Sequence, residues 1–529
     1  MKIKILLIIL MFTTFVQAFS QQVAIIPQPS KLQINVGKFI LNSDCFLQFD
    51  DKNQEMVRIA GFLNDFLKKS YDFQLKNNGK GKSVQFKLVK LPALGGEGYQ
   101  LKVDKNGVTI SANAPAGIFY GFQTLKQLLP LSVEADKVVV QAVEIEDQPR
   151  FTWRGNLLDV ARHFFPVSFL KKHIDILASY KLNVFQLHLT DDQGWRIEIK
   201  KYPELTEISH WREETVVGLY RNSQEFDGRG YGGFYTQDQV RDLVKYAADR
   251  FITVIPEIEM PGHSSAVLAA FPNLGCTGGP YKVKTLWGVH KDVFCAGKEK
   301  TFEFLQNVID EVLYMFPSKF IHIGGDECPK DAWKQCPLCQ KRIKDEGLKD
   351  EQELQSYFVT RMDKYLTAKG RRLVGWDEIL EGGLAPGATV MSWRGTEGGI
   401  KAAKERHDVV MSPTSHMYFD YYQSQNKVSE PLAIGGFLPL EKVYAYEPVP
   451  DVLTAEEAKH ILGAQANLWT EYIPSAKQVE YMMLPRILAL SEVVWTPKEK
   501  KDFADFEKRI IVDYERMKKQ EINFRDHRK

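Results

Sequence analysis

The chain has almost no excess of charge of either sign. Its 529 residues carry 69 Lys and Arg against 67 Asp and Glu. That balance excludes the basic surface on which nucleic-acid binders rely. After the N-terminus no apolar run is long enough to cross a bilayer as a helix. Internal repeats and low-complexity tracts are absent, which excludes solenoids and disordered tails. Cysteine is sparse, with six in all: Cys45, Cys276, Cys295, Cys328, Cys336 and Cys339. Cys336 and Cys339 form a C-x-x-C, but neither a second such pair nor an H-x3-H accompanies it, and a structural zinc takes four ligands. The pattern predicts one or two disulfides in an exported protein, with no metal and no cofactor.

The N-terminal "MKIKILLIILMFTTFVQAFSQQ" is what an export signal needs: two lysines, a short apolar stretch, then small residues at Ala18 and Ser20. Residues 1–20 read as a leader cleaved after Ala18 or Ser20. No cysteine stands at the cut to take a lipid, so the mature protein is expected in a periplasm or outside the cell, without a membrane anchor. Cleavage removes Lys2 and Lys4 and leaves 67 residues of each sign, which points to a neutral partner. Nine tryptophans and an aromatic share of 12% favour flat apolar ligands such as sugar faces.

A chain of this length exceeds one ordinary core. Residues 21–148 mix short strands ("VQFKLVK", "GYQLKVDKNGVTISA") with a helix at "APAGIFYGFQTLKQLL", which predicts a small α+β supporting domain. From 149 to 497 the rhythm changes, and apolar runs alternate with amphipathic stretches of helical length. Eight runs are strand-like: "WRGNLLDVA", "NVFQLHL", "ITVIPEIEM", "KFIHIGG", "RRLVGW", "TVMSWR", "DVVMSP" and "ILGAQANLW". Between the second and third, Thr236 and Gln239 form a capping box ahead of Val240, Leu243, Val244 and Ala247 on one helical face. Eight βα units predict a (β/α)8 TIM barrel. Residues 498–529 place Phe503, Phe506, Ile510, Tyr514 and Met517 on one face of a helix packed on the barrel wall.

Barrel enzymes work at the C-terminal ends of their strands. Those ends hold Asp159, Arg162 and His163; His188, Asp191 and Asp192; Glu257, Glu259 and His263; Asp326 and Glu327; Trp376, Asp377 and Glu378; Trp393 and Arg394; Tyr418 and Asp420; and Trp469 and Glu471. Carboxylates for hydroxyl groups and indoles for apolar ring faces suit a sugar. Most glycosidases place two carboxyls across the scissile bond, ~5 Å or more apart. Asp326 and Glu327 are neighbours. In an extended chain they point to different sides, so one is expected to protonate the leaving oxygen while the other holds the substrate, and the nucleophile comes from elsewhere.

"HIGGDE", "LHLTDDQGWRIEI", "PEIEMPGH", "VGWDEI" and "ANLWTE", in this order and spacing, strongly resemble the β-N-acetylhexosaminidases of glycoside hydrolase family twenty, over essentially the whole mature chain. The resemblance implies that Glu327 is the general acid and then base, and that Asp326 holds the substrate acetamido N–H. The acetamido oxygen itself attacks the anomeric carbon, a substrate-assisted exception to the two-carboxylate scheme. It further implies that Trp376, Trp393 and Trp469 wall the acetamido group, Tyr418 donates to its carbonyl oxygen, and Arg162 and Glu471 bind hydroxyls. Asp420 is similar to the residue that orients the acetamido group or the tyrosine. Asp191 and His263 resemble a network tuning Glu327, with Asp191 preferred to Asp192 on motif alignment alone. The implied partner is a glycan ending in GlcNAc or GalNAc. The Cys328–Cys339 insertion after the acid is expected to shape the leaving-group side.

Other readings are a disaccharide-releasing or sulfated-hexosamine-specific member of that family, a non-catalytic glycan-binding barrel, and a metal-dependent hydrolase. The glycan-binding reading requires a broken acid or a missing acetamido-side aspartate, and both residues are intact. The metal reading fails on spacing, since His163, His188, His263 and His322 form no H-E-x-x-H.

Overall fold

The computed structural model describes residues 23–132 and 137–528. The leader expected at 1–20 lies outside the described residues. The N-terminal part is one seven-stranded sheet: β1 (Lys31–Leu41), β2 (Phe46–Gln48), β3 (Lys76–Asn77), β4 (Ser83–Leu88), β5 (Tyr99–Asp104), β6 (Gly107–Ala112) and β7 (Val138–Asp147). Their order is β1-β7-β5-β6-β4-β2-β3. Along β5 buried and exposed residues alternate, as period-two patterning requires when one face is covered. The cover is α1 (Gln54–Tyr71) and α2 (Pro115–Leu128). The Asn53 side chain caps α1 by accepting from two backbone amides, and Met56, Ile59, Leu63 and Leu67 face the core at helical spacing.

The eight predicted runs all become barrel strands: β8 (Trp153–Asp159), β9 (Val184–His188), β10 (Thr253–Glu257), β11 (Phe320–His322), β12 (Arg372–Trp376), β13 (Thr389–Ser392), β14 (Val409–Met411) and β15 (Ile461–Leu468). They close in the order β10-β11-β12-β13-β14-β15-β8-β9. The pairs are parallel throughout, as β8 with β9 and β15 with β8 illustrate. Crossovers run outside through α3 (Val167–Ser179), α4 (Gln237–Ala248), α5 (Glu299–Met315), α6 (Pro337–Asp345), α7 (Glu351–Ala368) and α8 (Glu397–Lys404). Every residue of β8 and β9 is buried, which is why these strands show no in-out alternation. Trp153, Leu157, Val184, Ile255, Val374, Met391 and Val410 fill the barrel interior below the rim. The capping box of Thr236 and Gln239 on α4 is present. Register slips once, where β15 passes Leu462 opposite β14. A Cβ on Gly463 would lie 1.9 Å from the Trp153 carbonyl oxygen, so β15 and β8 touch there only because the residue is glycine.

Helices α9 (Arg486–Trp495) and α10 (Phe503–Lys519) complete the chain. The sequence places α10 on the barrel wall, but its reach is wider. Arg509 on α10 pairs with Glu492 of α9 and donates to the Ile25 carbonyl at 2.8 Å. Arg516 donates to the carbonyls of Ala24 and Gln127, so α10 clasps the N-terminal domain to the barrel. At the same interface Lys181 donates to Asp147 at 2.9 Å, both fully buried, while Tyr99 and Trp495 also donate to Asp147. Among the described residues no helix is long and apolar enough to cross a membrane.

The disulfide expectation is not met. All six cysteines are free, and Cys276, Cys295, Cys336 and Cys339 converge on one point. Spacing along the chain hid this cluster, because Cys276 and Cys295 are brought together by tertiary pairing rather than by a C-x-x-C turn.

Candidate active site

The stretch after β11 turns sharply instead of running on. Gly324 and Gly325 have φ of +68° and +90°, and Glu327 itself has φ +45°. A Cβ on Gly324 would lie 1.8 Å from a carboxyl oxygen of Glu259, so both the backbone angle and the close approach demand glycine. The expectation that Asp326 and Glu327 point apart as residues of an extended strand is therefore corrected. The left-handed turn brings both carboxylates to one imidazole: His263 Nε2 lies 3.7 Å from Asp326 and 3.5 Å from Glu327.

His263, on the loop after β10, also has φ +45°. Its Nδ1 lies 3.1 Å from Asp192 and 3.3 Å from Asp191. The sequence motif selects Asp191, and the structure brings both aspartates to the ring. Asp191 is the hub, since it also meets Arg162 at 2.8 Å and His188 Nε2 at 3.0 Å. Asp192 anchors the loop by accepting from the Ser265 amide at 2.9 Å. Burial disfavours charge on His263, but Asp191, Asp192 and Glu327 outweigh it and hold the ring as a cation.

The two catalytic candidates then part in proton affinity. The Asp326 side chain is 14% exposed and burial lifts it to about 6, with His263 opposing and Glu327 adding. Burial also raises Glu327, but that side chain is 40% exposed, and its contact with His263 and the Arg162 charge bring it below the usual carboxylate value.

Below them lies a second polar layer. Glu257 accepts from Trp376 Nε1 and Gln186, both at 2.8 Å, with His188 Nδ1 2.8 Å and His322 Nδ1 3.0 Å away. Burial opposes charge on His188, yet Glu257 and Asp191 raise it to about 10. The fold thus brings histidines and carboxylates to ligand distance where spacing shows no such sets. The carboxyl oxygens of Glu259 are buried without a hydrogen-bond partner among the described residues, and burial with Asp326 and Glu257 keeps the group protonated.

Indoles form the walls. Trp376 and Trp469 lie 5.8 Å apart by ring centroid, Trp393 stacks on Tyr418 at 6.1 Å, and the Arg162 guanidinium sits 5.3 Å over Trp469. Burial and then Asp420 raise the Tyr418 phenol, so it stays a donor. Asp420 is itself raised, by burial and then Glu471. All eleven residues singled out (Arg162, Asp191, His263, Asp326, Glu327, Trp376, Trp393, Tyr418, Asp420, Trp469 and Glu471) line one pocket of about 480 Å³ at the barrel mouth. A larger hollow of about 700 Å³ lies between the N-terminal domain and the barrel, but it gathers no comparable set of acids and indoles.

Several strand-end residues have other tasks. Asp159 accepts from the backbone amides of Ala161, Arg162 and Thr470. His163 contacts the Thr470 carbonyl, and Arg394 pairs with Asp377 and Glu381. Glu378 supports the site from outside the pocket lining: it accepts from Trp393 Nε1 at 2.8 Å, and burial, then Asp326, raise it to about 8. Its signal was present in the same "WDE" that supplies Trp376. Tyr220, Trp287 and Tyr421 also line the pocket. Tyr220 and Trp287 stand on long loops after β9 and β10, where no periodicity marks them.

Comparison with known proteins agrees with this geometry. The family profile described as "Glycosyl hydrolase family 20, catalytic domain" matches residues 151–498, and its "domain 2" matches residues 22–148. A β-hexosaminidase of Porphyromonas gingivalis is 50% identical over 96% of this chain, which spans 65% of that protein's length. A β-hexosaminidase of Vibrio furnissii is 36% identical over 88% of the chain and 76% of its own. The structure of a GH20 exo-β-N-acetylglucosaminidase from Vibrio harveyi in complex with N-acetylglucosamine superposes with a TM-score of 0.86 at 32% identity, covering 96% of this chain and 79% of that one.

Proposed function

Since the chain belongs to glycosyl hydrolase family 20, we propose that it is an exo-acting β-N-acetylhexosaminidase, which removes a terminal non-reducing β-linked GlcNAc or GalNAc with retention. The observation that carries this reading is the adjacent pair Asp326 and Glu327, gathered on His263 inside a tryptophan-walled pocket. The other carboxyls of that pocket are poor nucleophiles. Asp191 is committed to Arg162, His188 and His263, while burial drives Asp420 and Glu471 toward the neutral acid. A nucleophile supplied by the sugar resolves this, and its tethering gains effective molarity.

In the first half-reaction ionised Asp326 accepts the acetamido N–H and polarises the amide, so that its oxygen attacks C1. Glu327 gives its proton to the departing oxygen, the C1–O bond breaks, and an oxazolinium-type ring forms. In the second half Glu327, now an anion, takes a proton from water as that water opens the ring on the face the leaving group left. In the open pocket His263 keeps Glu327 ionised, the state the second half needs. A sugar seated over the carboxyl excludes water and raises its affinity for the proton the first half needs. Trp376, Trp393 and Trp469 wall the acetamido group, Tyr418 donates to its oxygen, and Arg162 and Glu471 take hydroxyls.

The test is a pair of variants on two substrates. Glu327→Gln should lose about 10²–10⁴-fold on natural glycosides and far less on an aryl glycoside whose leaving group needs no proton. Asp326→Asn should fail on both. Wild-type turnover by Asp326→Asn, or fast hydrolysis of a glucoside lacking the C2 amide, would overturn the reading. Export through residues 1–20 to a periplasm or the medium belongs to the proposal, on the charge and apolar pattern of that segment. N-terminal sequencing of the mature protein checks it.

A further inference from the structure

Four cysteines lie outside the pocket and take no part in the chemistry above. Cys276 Sγ is 3.8 Å from Cys339 Sγ, and Cys295 Sγ is 3.7 Å from Cys336 and 3.6 Å from Cys339. All four sulfurs fall within 4.8 Å of one another. A tetrahedral site with metal–sulfur bonds of ~2.3 Å has sulfur–sulfur edges of about 3.8 Å. Two disulfides would gather the sulfurs into two bonded pairs. Here Cys339 is near both Cys276 and Cys295, and Cys295 is near both Cys336 and Cys339, as around a common centre.

The backbone prepares the cluster from two directions. Gly275 and Phe294 form an antiparallel bridge, and Cys295 N–H donates to the Leu274 carbonyl at 2.8 Å, which sets Cys276 beside Cys295. Cys336 is the N-cap of α6 and Cys339 sits in its first turn, where unpaired amides and the helix dipole favour thiolates. A Cβ on Gly297 would lie 2.3 Å from the Leu338 carbonyl carbon, so the two segments are in backbone contact. The Trp333 indole closes the side by donating to the Phe294 carbonyl at 2.8 Å. Cys295 and Cys339 are fully buried and Cys336 nearly so.

The geometry points to a structural zinc site formed by Cys276, Cys295, Cys336 and Cys339. Binding releases the thiol protons and leaves one Zn²⁺ held by four thiolates. The metal joins the loop after β10, which carries His263, to the segment after β11, which carries Asp326 and Glu327. It thereby fixes the contact on which the proton affinities of the acid pair depend. The site is closed, with four protein ligands and no position for water, so the zinc is a clamp and not a reagent.

The test uses the full chain without its leader, purified without chelator. Elemental analysis should find about one zinc per chain after dialysis against EDTA, and X-ray absorption should show four sulfurs at ~2.3 Å. Cys45→Ser and Cys328→Ser should keep the zinc, whereas Cys336→Ser/Cys339→Ser should lose nearly all of it and melt at lower temperature. Should the double variant fail to fold, titration of the wild type with an organomercurial should release one zinc per four thiols consumed. Peptide mapping under non-reducing conditions that finds disulfides among these four, a metal-free chain with four titratable thiols, or zinc retained by the folded double variant would overturn the assignment.

Discussion

Asp326 and Glu327 share a peptide bond and a histidine, yet their proton affinities separate because one is enclosed and the other faces solvent. On the proposed mechanism Asp326 is ionised to accept the amide N–H, and its value of about 6 then sets the acid side of activity. We expect kcat/KM to fall as pH drops through about 6, a limb that a pH profile on an aryl N-acetylglucosaminide will show, since kcat/KM reports the free enzyme. The His263 cation lowers both carboxyls. His263→Gln removes that charge, so the acid limb set by Asp326 should move above 6. A rate loss with that limb in place would show that His263 positions the pair without tuning it. The sequence named both acids and His263, but the extended geometry assumed from their adjacency was wrong. A positive φ at Glu327 depends on the space around Gly324 and Gly325, which only the fold reveals.

At the scale of elements, most of the chain was legible. Buried parallel strands read as unbroken apolar runs, and α4 announced itself by its cap and its stripe of Val240, Leu243, Val244 and Ala247. Thr236→Ala removes the oxygen that satisfies the Gln239 amide and should cost about 1 kcal/mol, measurable by urea denaturation with activity retained. Gly324→Ala is the contrary case. It adds a methyl against Glu259 at a backbone angle that costs about 1–3 kcal/mol for a side chain. The turn should be displaced and activity should fall at least about tenfold, by the cost of misplacing a catalytic group. Near-normal kinetics in that variant would mean the turn tolerates a Cβ. The loops after β9 and β10 were not legible, because Tyr220 and Trp287 are placed by packing and by hydrogen bonds such as that from the Tyr220 amide to Tyr472.

For the molecule as a whole, the junction of the two domains is polar where it is most buried. Lys181 and Asp147 are fully enclosed, and Asp147 also accepts from Tyr99 and Trp495. Breaking such a pair strands a buried charge, so Lys181→Met should destabilise the protein by about 3–5 kcal/mol, as read by thermal or urea unfolding. Lys181→Met with Asp147→Asn should lose less than the sum of the single variants. Additivity would show that the two groups do not depend on each other. The pocket is some distance from this latch, so kcat of the folded fraction should stay close to wild type.

By itself the sequence determined the barrel, its supporting domain and the residues of the rim, because burial on both faces of a strand and the strand-end position of acids are written locally. Tertiary structure alone decided three things: how sharply the acid pair turns, that Asp191 and Asp192 both reach His263, and that four scattered cysteines share one point. Each depends on segments far apart in the chain coming within a few ångströms, and no local pattern encodes such a distance.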